Sequence, residues 1–481
     1  MYDLIVIGDD LSSHVSAACA SHQGLHTLLI AESGVGGLQL LDDFVFNIDP
    51  TPITGLGPDE LGLSILTELG ITVPEADSAA FINPAFQVIL PDHRIDFYNA
   101  SASLTAELAR EFPELESEIS DFYRAATDAS SVFQKWIAEH PQIQPQNFKE
   151  YFSYLKIFPH VFRYKFSAAK FDKILSQNPS LEKVWEAQQA LLSFNNDDLF
   201  SFASSYQYCA PFRGISYFPQ GKQFLFNAFI EKLESNKGLY LNNYQVSSIT
   251  RNNPIEMEIK ALNGESSQVS GRNLIISTKS ESLSLLRTGN TSVNISDRFR
   301  PAKIAYYPFT IYLGIAEKCL PDQIARHVAL VTDTAKDIYD NNLIILETGL
   351  PENNLPLKQA RTSLTATVFR EDGEENWTHD ALKREAHSVL LRLEEFLPFL
   401  KENIELDNLD QSINLSLAYR KVASPKYKVR NALLTSFAAK SNRTRFENIF
   451  LTGTSLLTDA GFDAEMMSGK NAALQVINRR T

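Results

Sequence analysis

Short continuous apolar runs alternate along this chain with stretches of helical period, and the alternation sets its reading. Residues 2–7 are an apolar run ending at Gly8, the pattern of a strand buried on both faces. Residues 11–21 mix small and apolar residues, as suits a helix packed tightly on a sheet, and after a turn at Gly24 residues 27–31 form a second buried strand ending on Glu32. Residues 61–70 predict a helix with a glycine stop, and residues 86–97 a hairpin about a polar turn. Residues 104–112 and 115–137 predict amphipathic helices, followed by a helix at 223–234 and strands at 240–249, 255–259 and 274–277. Alternation at 305–315 and apolar runs at 343–346, 363–369 and 415–419 predict further strands, with an amphipathic helix at 379–398. A last buried strand at 448–454 and a helix at 461–477 close the pattern.

Strand, tight turn, helix, strand and terminal acid are the opening of a Rossmann unit that binds a dinucleotide. Its fingerprint calls for three glycines, and the three positions here are Gly8, Asp10 and Ser13. Gly8 keeps the sharp turn, and Ser13 is a small replacement for the glycine that lets helix meet strand. Asp10 stands where backbone should come nearest a pyrophosphate and adds a negative charge there. Two like charges at ~4 Å repel by about 4 kcal/mol at an effective dielectric near 20, about three decades of affinity.

After Glu32 come the pair Gly36–Gly37 and the strand Phe46-Asn47-Ile48-Asp49-Pro50, and here the chain resembles the flavoprotein oxidoreductases that include phytoene desaturases, carotenoid isomerases and amine oxidases. Residues 213–222 resemble that family's return to its cofactor domain, with Gln220 and Lys222 in place of a glycine and a methionine. Gly453, Gly461, Ser468, Gly469 and Ala472 match its C-terminal flavin motif, with Thr454 where an aspartate is usual. The resemblance implies an α/β fold: a Rossmann-like FAD/NAD(P)-binding domain (1–75, 210–295 and 430–481) and an α+β substrate-binding lobe (76–209 and 296–429). It assigns FAD to Gly8, Asp10, Leu11, Ser13, Glu32, Ser33, Gly36, Gly37, Val246, Thr278, Gly453, Thr454, Gly461 and Phe462, with Val246 on the adenine. It implies an oxidoreductase acting on an apolar, isoprenoid-like substrate or an amine. A second reading stands beside it: a flavin-free relative that binds lipid or protein, as the Rab GDP-dissociation inhibitors do on this scaffold. Asp10, Ser13, Gln220, Lys222 and Thr454 all depart from the pattern where a flavin would lie.

Composition narrows the field. The 481 residues exceed one ordinary domain, and 44% hydrophobic content suffices for a large core. A net charge of −14 argues against a nucleic-acid binder. Three scattered cysteines, Cys19, Cys209 and Cys319, suit a reducing compartment and imply neither disulfides nor a metal site. With no apolar run long enough to span a bilayer and no leader pattern, a cytoplasmic protein is expected. The nine histidines do not cluster, and no zinc, serine-hydrolase or P-loop motif is present, so no catalytic residue is assigned. In a flavoenzyme the isoalloxazine would carry the redox step. Residues 148–166 crowd aromatics among Lys149, Lys156, His160, Arg163 and Lys165, with Pro159 expected to interrupt any single long helix. That segment reads as helical core with snorkelling bases, or as a membrane-surface patch (peripheral membrane contact) or the mouth of an apolar channel; nucleic-acid stacking suits the acidic whole poorly.

Overall fold

A computed structural model of the chain describes all residues except 34–35, 74–80, 141–147, 197–198, 219, 288–301, 350–361, 421–422, 429–440 and 480–481, and the side chains of 148–151, 153 and 154. The domain boundaries expected near 75, 295 and 430, and the side chain of Lys149, lie outside the described residues.

The first sheet contains β1 (Tyr2–Ile7), β2 (Thr27–Ala31), β7 (Leu239–Asn242), β8 (Tyr244–Ile249), β9 (Ile255–Ala261), β10 (Ser266–Ser277) and β17 (Ile449–Thr452). Its order is β7-β2-β1-β10-β9-β8, with β17 also on β10. The strands β7, β2, β1, β10 and β17 run parallel, so β1, β2, β10 and β17 end along one edge. Leu4 to Ile7 are fully buried because both faces of β1 are covered, which explains its unbroken apolar run. One cover is α1 (Leu11–His22), which packs on α9 (Gln223–Ser235) and α12 (Gly461–Ile477) and is buried almost throughout. Its serines and alanines let those neighbours approach closely. Ser16 Oγ donates to the Gly469 carbonyl at 3.0 Å, and a β-carbon at Gly469 would press on the Ser12 carbonyl and stand 2.8 Å from Val15 Cβ.

The second sheet runs β15-β11-β14-β13-β12-β5-β6. Its strands are β5 (Phe86–Ile89), β6 (Arg94–Phe97), β11 (Lys303–Ile315), β12 (His327–Val331), β13 (Leu343–Gly349), β14 (Ser363–Glu371) and β15 (Ile404–Asp407), with β16 (Lys426–Lys428) also on β11. The helices α10 (His379–Phe396) and α11 (Leu409–Tyr419) bury Leu382, Ala386, Val389, Leu393 and Ile413 against Phe309, Ile311 and Leu313 of that sheet. A hairpin of β3 (Leu38–Leu41) and β4 (Phe44–Asn47) brings Phe46 against Tyr312 of β11, ring centroids 5.3 Å apart, and so ties the N-terminal segment to the second sheet. Among the described residues the remaining α-helices are α2 (Leu61–Leu69), α3 (Ser101–Glu111), α4 (Glu116–Glu139), α5 (Phe148–Leu175), α6 (Pro179–Leu192), α7 (Ser204–Tyr208) and α8 (Ala210–Arg213). Among them Phe122, Phe171, Trp185 and Tyr208 form an aromatic core in α4 to α7.

Two expectations are corrected. Pro159 does not interrupt the helix: α5 runs through it without a break. Pro159 stands on the exposed face, where water can take the Leu155 carbonyl that loses its partner, while Ile157, Val161, Tyr164, Ala168, Phe171 and Leu175 are buried on the other side. Residues 415–419 are helix, not strand. Leu415 packs beside Phe44, Phe46 and Tyr312 while Leu417 is exposed, and the buried set is Ser412, Ile413 and Ser416 at helical spacing, with Ser412 Oγ accepting the Tyr312 N–H at 3.1 Å. The hairpin at 86–97 and the helices at 61–69 and 461–477 form as the pattern predicts.

Overpacking a close helix contact costs about 1–3 kcal/mol. Gly469→Val is therefore expected to lower stability by that amount in urea unfolding, since the Ser12 backbone cannot retreat without moving α1 off β1.

Candidate functional site

The edge where β1, β2, β10 and β17 end is where an open α/β sheet holds its ligand. Gly8 closes β1 there, and a β-carbon at this position would stand 2.6 Å from Ser277 Cβ at the end of β10. The turn then places Asp10 as the N-cap of α1, followed by the buried Leu11. Asp10 Oδ1 accepts the Ser13 N–H at 3.2 Å and the Ser13 hydroxyl at 2.6 Å, and Oδ2 accepts the Ser277 hydroxyl at 2.6 Å. Asp10 is 4% exposed, and a β-carbon on Gly453 would approach Oδ2 to 3.5 Å. Exposed N–H groups and the helix dipole make this spot an anion site. The chain's own carboxylate stands in it. His14, one turn on, bonds the Asp10 carbonyl through Nδ1 at 3.0 Å, and burial lowers its pKa below the ordinary imidazole value.

The other residues assigned to the adenosine end gather around a cavity of about 470 Å³ lined by Asp9, Asp10, Glu32, Ser33, Val246 and Lys279, among others. Glu32 accepts hydrogen bonds from the Ser280 and Ser282 hydroxyls. The Ser33 N–H donates to Asp9 Oδ1 at 2.9 Å. Burial, with Glu32 and Asp10 nearby, pushes Asp9 up to about 6 despite the Ser33 hydrogen bond. Val246 sits where the β8–β9 register shifts. The Thr278 N–H donates to the Thr452 carbonyl at 2.8 Å, and its hydroxyl accepts from Ser455 at 2.8 Å.

Two buried ion pairs lie nearby, one of them at the wall of this cavity. Lys222 Nζ lies 3.0 Å from Asp49 Oδ1 and 5.4 Å from the centre of the buried Phe462 ring. Lys279 Nζ donates to Ser424 Oγ at 3.0 Å and lies 3.4 Å from Glu465 Oε1. Burial opposes the charge on Lys279, yet Glu465, Asp10, Tyr427 and Asp49 together hold its pKa above the ordinary lysine value. The Gly37 N–H donates to Gln223 Oε1 at 2.7 Å, and a side chain on Gly36 would strike the same amide. Thr454 Oγ1 lies 3.2 Å from the Tyr427 hydroxyl, the Gly453 N–H donates to Ser468 Oγ at 2.9 Å, and Gly461 opens α12 against the Leu192 carbonyl. Of the fourteen assigned residues, Asp10, Glu32, Ser33 and Val246 line this one cavity, whereas Gly36 and Gly37 pack on Gln223 and Gly461 on the Leu192 carbonyl. The sequence reading did not assign the partners Ser277, Lys279, Ser280, Ser282 and Glu465. Only Lys279, a charge two residues after a buried strand, leaves a local signal.

Beyond Lys222, Glu347 of β13 accepts a hydrogen bond from Asn47, and burial pushes it up to about 7. Its cross-strand neighbour His327 is pushed down to about 3 by burial, Arg326 and Lys222.

The chain matches no known protein-family model, and no curated protein matches it in sequence. Solved structures do match. Putrescine oxidase bound to putrescine is 14% identical with a TM-score of 0.59, covering 99% of each chain. Cyclohexylamine oxidase from Brevibacterium oxydans IH-35A is 12% identical with a TM-score of 0.57, covering 100% of this chain and 99% of its own. An oxidoreductase from Methanosarcina mazei is 14% identical with a TM-score of 0.53, covering 97% and 99%. The chain has the amine oxidase fold over its full described length, the architecture its sequence resemblance implied.

A carboxyl whose folded pKa is raised stabilises fully below its unfolded value and loses that contribution as pH rises through the folded one. Glu347 therefore costs stability progressively between its ordinary value and about 7. Glu347→Gln, which keeps the acceptor for Asn47, is expected to gain up to about 3 kcal/mol over the parent at pH 8 and far less at pH 5. Paired urea unfolding at the two pH values checks this.

Proposed function

We propose that this chain is an amine-oxidase scaffold that works without flavin, as a binding protein rather than a redox enzyme. The observation that carries the reading is Asp10, whose carboxylate caps α1 and reaches across to Ser277 where a dinucleotide's pyrophosphate would be held. Bringing a pyrophosphate there costs about 4 kcal/mol per like-charge pair and breaks charge-assisted hydrogen bonds of about 1.5–3 kcal/mol each. The nearby lysines offer no compensation, because Lys222 is paired with Asp49 and Lys279 with Glu465. The residues present do not fit FAD. The same holds at Glu32, which two serines already bond, and at Gly37, whose N–H is taken by Gln223. The ligand class that suits the reading is a lipid or a protein surface met by the outside of the molecule.

The second reading, an FAD-dependent oxidoreductase of an apolar or amine substrate, draws on the cavity of about 470 Å³ beside Glu32, Ser33 and Val246. It requires the Asp10 carboxylate to leave the end of α1.

Absorption of the protein as purified separates the two. A colourless protein whose melting temperature does not move with millimolar FAD is expected. A yellow protein that releases one flavin per chain on denaturation would sink the proposal.

A further inference from the structure

The helix α5 is apolar on two separate faces. Ile157, Val161, Tyr164, Ala168, Phe171 and Leu175 are buried, whereas Leu155, Phe158, Phe162 and Phe166 are exposed at 61, 39, 68 and 66%. At about 100° per residue those four fall within an arc of about 80°, centred about 140° round the helix from the buried set. Lys156, Arg163 and Lys170 lie along one flank of this stripe and Lys165 along the other, with the Lys170 ammonium 5.2 Å from the centre of the Phe166 ring. Over its whole length α5 carries six Lys and Arg against two acidic residues, a net +4 in a chain of net −14. Soluble proteins seldom leave a row of phenylalanines in water, and an aromatic stripe bordered by bases is the pattern of a helix lying in a lipid headgroup layer. Among the described residues no helix is long and apolar enough to cross a membrane, so contact along the surface is the geometry available to α5.

We propose that the outward face of α5 docks the protein on an anionic lipid surface, the phenylalanines entering the boundary between headgroups and acyl chains while the lysines and arginine meet lipid phosphates and carboxylates. Charge complementarity selects this occupant. A two-fold contact with a second copy would set one +4 helix against another, whereas an anionic leaflet attracts each base near it. The inference rests on α5 alone, so it and the flavin-free reading can fail separately.

Flotation of the full chain with vesicles tests it, using phosphatidylcholine alone and phosphatidylcholine mixed with phosphatidylserine. The parent is expected to float with the mixed vesicles and to remain below with the neutral ones. The combined variant Phe158→Ser, Phe162→Ser, Phe166→Ser is expected to lose about tenfold or more of the floated fraction with an unchanged melting temperature, because these rings stand in solvent. Lys156→Ser combined with Lys165→Ser and Lys170→Ser is expected to abolish the preference for phosphatidylserine. A parent that does not float with mixed vesicles, or a phenylalanine variant that floats as well as the parent, would overturn the proposal. So would a parent that elutes as a dimer, fails to float and becomes monomeric in the phenylalanine variant, since a second copy would then cover the stripe.

Discussion

A helix that begins inside a protein presents N–H groups that something must meet. The rest of this structure follows from how α1 meets that demand. Asp10 supplies the acceptor permanently, bonding Ser13 in the first turn and Ser277 at the end of the neighbouring strand. In a dinucleotide-binding protein a ligand's phosphate occupies this place. Here the requirement is closed within the chain, and the central strands β1 and β10 are clasped at the same point.

Buried ion pairs tie further segments of the chain together around this turn. Lys222 with Asp49, and Lys279 with Glu465, link the segments after β4, before α9, after β10 and within α12. Buried ion pairs add little net stability, yet removing one partner costs about 3–5 kcal/mol by stranding the other charge. Such pairs therefore hold the crevice in one arrangement more than they strengthen the fold.

Much of the architecture was legible because buried parallel strands and amphipathic helices leave unmistakable periods: residues 27–31 and 379–396 form as their patterns require. The failures came where a local rule met a stronger tertiary one. Pro159 predicts a break, but the buried face of α5 carries the helix past it, and Leu415, Leu417 and Tyr419 alternate like a strand although Ser412, Ile413 and Ser416 anchor a helix on β11. Of the site, the charge at Asp10 could be read directly from a glycine motif. Its partner Ser277 could not, because 267 residues separate the two and a lone serine at a strand end carries no local sign of what it will bond.

The central claim is that a carboxylate occupies the anion site at the start of α1. Crystals of the untreated protein, soaked in concentrated FAD, test it most directly. The account predicts that Asp10 stays bonded to Ser277 and that no pyrophosphate density appears beside Gly8. Clear density for the dinucleotide along that turn, with the carboxylate swung out of its way, would contradict it.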